Sequence, residues 1–183
     1  MDFLTLERIK LMHPSVRKEV LEMYTHVNNK LLGKGVRLRF AYTLRTNAEQ
    51  DELYAQGRTK LFDNTGKRLG KVTNAKGGQS IHNYGLALDI VLLLDKNNDG
   101  VFESASWDIK ADNDKDGIAD WKEVTDYFKS KGWFWGGDFK SLVDAPHFEK
   151  CLGYTWQSLK AKVDKGDVLK EKINDIEYIF PRL

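Results

Sequence analysis

Apolar residues recur every three to four positions between Pro14 and Leu32, with Val16, Val20, Met23, Val27 and Leu31 on one face. This is the repeat of an amphipathic helix. Pro14 suits its first turn, and Gly33 and Gly35 end it. Residues 36–44 then alternate and are rich in β-branched and aromatic side chains, which predicts a strand. Thr46 with Glu49 is a capping-box pattern that opens a helix through about Ala55. Residues 57–79 are polar and glycine-rich, ending in KGGQS, and predict a long loop of the functional or mobile kind. Residues 85–94 form a continuous apolar run, the pattern of a buried strand. Further on, the pattern predicts a helix over 120–130 and short strands at GWFWGG and APHFEK. Two closing helices are expected near 155–163 and 168–175. The mixture predicts an α+β fold: a small antiparallel sheet flanked by helices, with an acidic calcium-loop insertion at about 95–123 in a single domain spanning 1–183.

Composition narrows the classes. A chain of 183 residues with 41% hydrophobic and 31% charged side chains can bury a sizeable core. No apolar run reaches the length of a membrane span, so no stable membrane association is expected. The opening MDFLTLERIK lacks the basic-then-apolar layout of a secretory signal. The expectation is a protein made in the cytoplasm without an export signal of its own. Cys151 is the single cysteine, which excludes an internal disulfide and reads as a packed residue. The net charge of +2 conceals an asymmetry: residues 95–123 hold nine acids and four lysines, and the rest carries 18 acids against 25 bases. A basic body suits an anionic polymer such as a cell wall. Neither a basic helix with interleaved aromatics nor a nucleic-acid fold signature is present, so no nucleic-acid partner is expected.

Candidate chemistry centres on His82 and Asp89 in SIHNYGLALDI and His147 in DAPHFE. Two imidazoles and one carboxylate make a three-ligand zinc set with a fourth place left open. Zinc polarises a carbonyl and lowers the pKa of water to roughly 7. Asp144, three residues before His147, is placed to act as general base. The bland alternatives are unrelated surface residues for the trio and a turn cap for Asp144. A second donor set lies in DNDKDGIADWKE. Asp112, Asp114, Asp116, Gly117, Asp120 and Glu123 occupy positions 1, 3, 5, 6, 9 and 12 of an EF-hand loop, and Ile118 would offer its carbonyl at position 7. Helix 120–130 would be the exiting helix, and no entering helix is evident. DKNNDGVFE starts a similar loop with Asp95, Asn97, Asp99 and Gly100, but Ser106 stands at position 12. The plain reading of both is an acidic solvated surface. Trp133 and Trp135 line a cleft or pack in the core, and His13 and His26 read as structural.

S-x-H-x-x-G-x-A-x-D, at Ser80, His82, Gly85, Ala87 and Asp89, followed by D-x-x-H-F, resembles the zinc D-alanyl-D-alanine peptidase superfamily. That superfamily includes VanY-like carboxypeptidases and phage L-alanyl-D-glutamate endopeptidases. HPSVRKEVLEMY and LRTNAEQDELYAQGRT resemble segments of the phage enzymes, so the likeness covers most of 10–160 outside the acidic insertion. The resemblance implies zinc at His82, Asp89 and His147, and Asp144 as catalytic acid or base. It makes Arg45 the stabiliser of the developing oxyanion or the holder of substrate. Ser80 and Gln50 become supporting, substrate-binding positions. The function it implies is an endolysin: a monomeric zinc peptidoglycan hydrolase cleaving the L-alanyl-D-glutamate bond of stem peptides, released to the wall. The EF-hand spacing of 112–123, where the chain departs from that family, adds the expectation of calcium control. Alternatives are a D-alanyl-D-alanine carboxypeptidase and a non-catalytic, metal-dependent wall-binding module.

Overall fold

The structure is a computed structural model that describes residues 2–183. The described residues form two compact units, one of residues 2–43 with 87–150 and one of residues 44–86 with 151–183.

The first unit is built on strand β2 (Ala87–Leu94). The apolar run of the sequence becomes a strand buried almost throughout, with Leu88, Ile90 and Leu92 fully inaccessible. Strand β1 (Val36–Tyr42) pairs antiparallel with it from Val36↔Leu94 to Tyr42↔Asp89, with a bulge between Phe40 and Tyr42. The other edge of β2 is shared. Strand β3 (Ser104–Ser106) pairs with its C-terminal half, and strand β5 (His147–Glu149) with its N-terminal half. Strand β4 (Phe134–Trp135) extends the sheet beyond β5. Helix α2 (Pro14–His26) starts at Pro14 as the pattern requires. It widens into a π-helical turn over Val27–Leu31 rather than remaining regular to its end. Helix α4 (Asp120–Ser130) buries Trp121, Val124 and Phe128. Phe128 packs on Phe148 of β5 with ring centroids 4.9 Å apart.

Helix α1 (Phe3–Lys10) escaped the sequence pattern. It buries only Thr5 and Ile9 and leaves Phe3 and Leu4 exposed, so its apolar residues do not fall on one face. Asp2 fixes its start by accepting from the Thr5 backbone N–H at 3.0 Å.

The second unit opens with helix α3 (Asn47–Ala55), where the expected Thr46–Glu49 capping box forms. Residues 57–79 are irregular but pinned. The Gln50 amide donates to the Ala75 carbonyl at 2.8 Å, Arg58 donates to the Thr73 carbonyl at 2.9 Å, and Asp51 accepts from the Gly77 backbone at 2.7 Å. Helix α5 (Trp156–Asp164) buries Leu159 and is followed by β6 (Val168–Ile173) and β7 (Ile176–Pro181). The expected helix at 168–175 is therefore corrected to a hairpin. Asn174 and Asp175 take φ of 49° and 66°, the left-handed pair of a two-residue turn whose twist matches the strands. Among the described residues no helix is long and apolar enough to cross a membrane.

Candidate metal centre

Strand register builds most of the centre. Asp89 lies directly opposite His147 in the β2–β5 ladder, and cross-strand partners point to the same face with Cβ atoms ~4.5–5.5 Å apart. The His147 Nδ1 sits 3.3 Å from Asp89 Oδ1. His82 belongs to a single 3₁₀ turn, Ile81–Tyr84, capped by the Ser80 side chain, which accepts from the His82 backbone N–H at 3.3 Å. Gly85 ends that turn at φ 68°, a conformation glycine adopts without strain, and β2 begins two residues later. One ligand atom from each of His82, Asp89 and His147 lies within 4.8 Å of the other two. Both imidazoles are buried, at 2% and 7% exposure.

These residues fit zinc. Bonds of ~2.0–2.1 Å in a tetrahedron put neighbouring ligand atoms roughly 3.3–3.4 Å apart. The 3.3 Å between Nδ1 and Oδ1 matches that spacing, and exceeds the ~2.7–2.9 Å of a charged hydrogen bond. The other ring nitrogen, Nε2, is 3.0 Å from Glu149 Oε2. Burial alone would lower the His147 pKa, but hydrogen bonds and charge from Asp89 and Glu149 carry it up to about 9. The pocket favours positive charge, which a metal ion supplies.

Asp144 is half-buried and held by its backbone. Its N–H donates to the Gly136 carbonyl at 2.9 Å, and its carbonyl accepts from the His147 N–H at 3.1 Å. The Trp135 indole N–H donates to the Ala145 carbonyl at 2.7 Å, clamping the same turn. Trp133 is a core residue, 2% exposed and packed edge-on against Phe128. Arg45 donates its backbone N–H to the His82 carbonyl at 3.1 Å, and Asn83 returns a bond from Nδ2 to the Arg45 carbonyl at 2.9 Å. The Arg45 guanidinium donates to Gln50 Oε1 at 2.9 Å. Gln50 is wholly inaccessible, and its amide nitrogen donates to Ala75 and Thr73. It reaches Arg45, not solvent.

Three positions were not singled out from sequence. Asn83 also accepts from the Gly78 and Ser80 backbones, at 3.0 and 3.2 Å. Gly136 has no room for a side chain: a Cβ there would lie 2.4 Å from the Asp144 carbonyl oxygen and 2.9 Å from His147 Cβ. Glu149 stands two residues from His147 on one strand, a spacing that puts both on one face, and that spacing was the available signal.

The acidic insertion gathers its carboxylates. Asp112, Asp114 and Asp120 offer oxygens within 4.8 Å of one another, and so do Asp114, Asp116 and Glu123. Gly117 adopts φ 96° at the sharp turn of the loop. One Glu123 oxygen, Oε2, is buried without a hydrogen-bond partner. Burial first, then the charges of Asp116, Asp114, Asp120 and Asp112, push the Glu123 pKa up to about 7. Ile118 is 47% exposed and donates its N–H to Asp116 at 2.8 Å. In the shorter loop Asp95 accepts from the Asp99 and Gly100 backbones, and Ser106 runs into β3 instead of a helix.

Residues 73–150 match the D-alanyl-D-alanine carboxypeptidase family. The chain is 39% identical over 138 residues to the peptidoglycan L-alanyl-D-glutamate endopeptidase CwlK of Bacillus subtilis (strain 168), which spans 75% of this chain and 72% of that protein. Among solved structures it is similar to the L-Ala D-Glu endopeptidase ChiX of Serratia marcescens. The TM-score is 0.48 at 21% identity, over 81% of this chain and 87% of that one. It is also similar to the vancomycin-resistance D,D-pentapeptidase VanY of a VanB-type cassette in complex with Zn(II). There the TM-score is 0.41 at 18% identity, over 83% of this chain and 77% of that one.

Proposed function

This chain belongs to the VanY-like M15 family of zinc peptidases, and on that premise we propose that it hydrolyses the L-alanyl-D-glutamate bond of peptidoglycan stem peptides. The observation that carries the reading is the His82–Asp89–His147 donor set in a chain 39% identical to an endopeptidase of that specificity. Zinc, when bound there, would polarise the scissile carbonyl and make water acidic near neutral pH. Asp144 takes the proton of the attacking water and delivers it to the leaving amine. Arg45 faces the negative charge that develops on the carbonyl oxygen. Gln50 acts through Arg45 by fixing its guanidinium, and Ser80 acts through His82 by capping its turn. The family match runs through 73–150 and so through both compact units, which favours one peptidase domain, working as a monomer on the wall in the manner of an endolysin. The second reading, removal of terminal D-alanine, rests on the name of the matched family. Mass spectrometry of digested muropeptides decides: new N-terminal glutamate supports the endopeptidase, and released D-alanine alone overturns it.

Calcium is the finer part of the proposal. Asp112, Asp114, Asp116, Asp120, Glu123 and the Ile118 carbonyl would ligate it, and the partnerless Glu123 Oε2 supports this. Helix α4 leaves the loop and packs on β5 through Phe128 and Phe148, which gives the cation a path to His147. Calcium would thereby order the catalytic half that carries Asp144. Chelating calcium while zinc is retained should lower the rate; an unchanged rate leaves the loop a stabilising role at most.

A further inference from the structure

We propose that Glu149 is a positioning residue that dictates which nitrogen of His147 meets the metal: Nε2–H is donated to Glu149, and Nδ1 is turned toward zinc. The inference rests on the zinc reading of the centre and adds a residue and an atom assignment to it.

The geometry separates the two ring nitrogens. Nδ1 faces Asp89, another member of the ligand cluster, at the 3.3 Å spacing of two atoms sharing one ion. Nε2 faces Glu149 at 3.0 Å, an ordinary hydrogen-bond distance. An imidazole that binds a metal through one nitrogen carries its proton on the other, so that second nitrogen is a donor and needs an acceptor. Glu149 is that acceptor. His147 is buried between the two carboxylates, where solvent cannot readily replace either partner. The backbone explains why the carboxylate holds still. Glu149 is paired on both sides, with Ala87 of β2 and Phe134 of β4, whereas a loop carboxylate would wander. Between the two residues, Phe148 is fully buried against Phe128 on the opposite face and locks the strand against rotation. A charged acceptor on the far nitrogen also makes the near one a better donor to the metal. Glu149 does not join the ligand cluster among the described residues, so its effect passes through the ring.

Removing such a partner characteristically weakens metal binding ~10–100-fold. Competition with a chromogenic chelator should show this loss for Glu149→Ala. Glu149→Gln keeps an acceptor oxygen without the charge and should lose less. A Glu149→Ala protein that folds, by its metal-free thermal melt, and binds zinc as tightly as the parent overturns the proposal. The second measurement needs no variant. In zinc-loaded wild-type protein, ¹⁵N NMR of the His147 ring should show Nδ1 on the metal and a proton on Nε2. Zinc on Nε2 overturns this assignment while leaving the zinc site standing. Zinc bound with neither nitrogen of His147 overturns the site itself.

Discussion

The centre at His82, Asp89 and His147 and the loop at 112–123 both gather oxygen and nitrogen donors, yet they are assembled in opposite ways. The loop draws all its carboxylates from twelve consecutive residues, most of them half-buried or exposed. The His82–Asp89–His147 centre joins residues up to 65 positions apart, holds two imidazoles below a tenth exposed, and sets Asp89 against His147 by strand register. A local, solvated donor set can loosen without disturbing the sheet. A buried set fixed by register cannot lose a member without leaving polar groups unpaired. On the proposed function the difference suits them to different work: chemistry at the rigid centre, adjustable order in the loop.

The comparison breaks most sharply through the rigid centre. His147→Ala should abolish both stoichiometric zinc and wall hydrolysis, measured by metal analysis and turbidity loss of purified peptidoglycan. Retention of either would mean that register did not build the centre. Asp144→Asn should keep zinc and lose ~10²–10⁴ in kcat, the usual worth of general acid–base help. Arg45→Ala should cost ~10²–10³ in kcat if it faces the oxyanion, whereas a rise in KM alone would make it a substrate anchor. Gly136→Ala tests the backbone beneath. The added Cβ meets the Asp144 carbonyl at 2.4 Å, so zinc affinity and rate should fall together; separate effects would unlink the turn from the ligand. Glu123→Gln addresses the other region. It should weaken calcium binding and raise the calcium needed for activity while zinc content stays unchanged.

The smallest effect serves as a control outside both donor sets. Asp2 belongs to neither. It accepts from Arg39 and Thr5 and is 7% exposed. Burial alone would raise its pKa, but the Arg39 and Thr5 hydrogen bonds outweigh this and leave it below 3.8. A carboxyl that is more acidic when folded stabilises the fold above its unfolded pKa. That contribution fades as pH falls through 3.8 and on through the lower folded value. Asp2→Ala should cost about 1 kcal/mol at neutral pH, the worth of a helix cap, and flatten the melting temperature below pH 4 relative to the parent. Equal slopes would place the acid sensitivity elsewhere.

The same contrast governs what could be read from sequence. The acidic cluster at 112–123 was visible because its spacing is local, and the His82–Asp89–His147 cluster because each residue sits in a distinctive short context. Residues whose meaning depends on pairing were not. Glu149 faces His147 only because 147–149 is an extended strand, and Gly136 is tight only because the Asp144 carbonyl comes back over it. The helix expected at 168–175 is a hairpin strand instead, and its turn at Asn174–Asp175 takes the left-handed backbone of two strands turning back on each other. Gln50 took its supporting role, binding substrate or orienting a ligand, from its position in a resemblance; its burial and its bond to Arg45 emerge only from packing.

Anomalous diffraction at the zinc edge, on crystals grown with zinc, tests the central claim most directly. The account predicts one strong peak within bonding distance of His82, Asp89 and His147 Nδ1, ~2.0–2.2 Å from each ligand atom. A strong peak elsewhere, with none among these three residues, would contradict it.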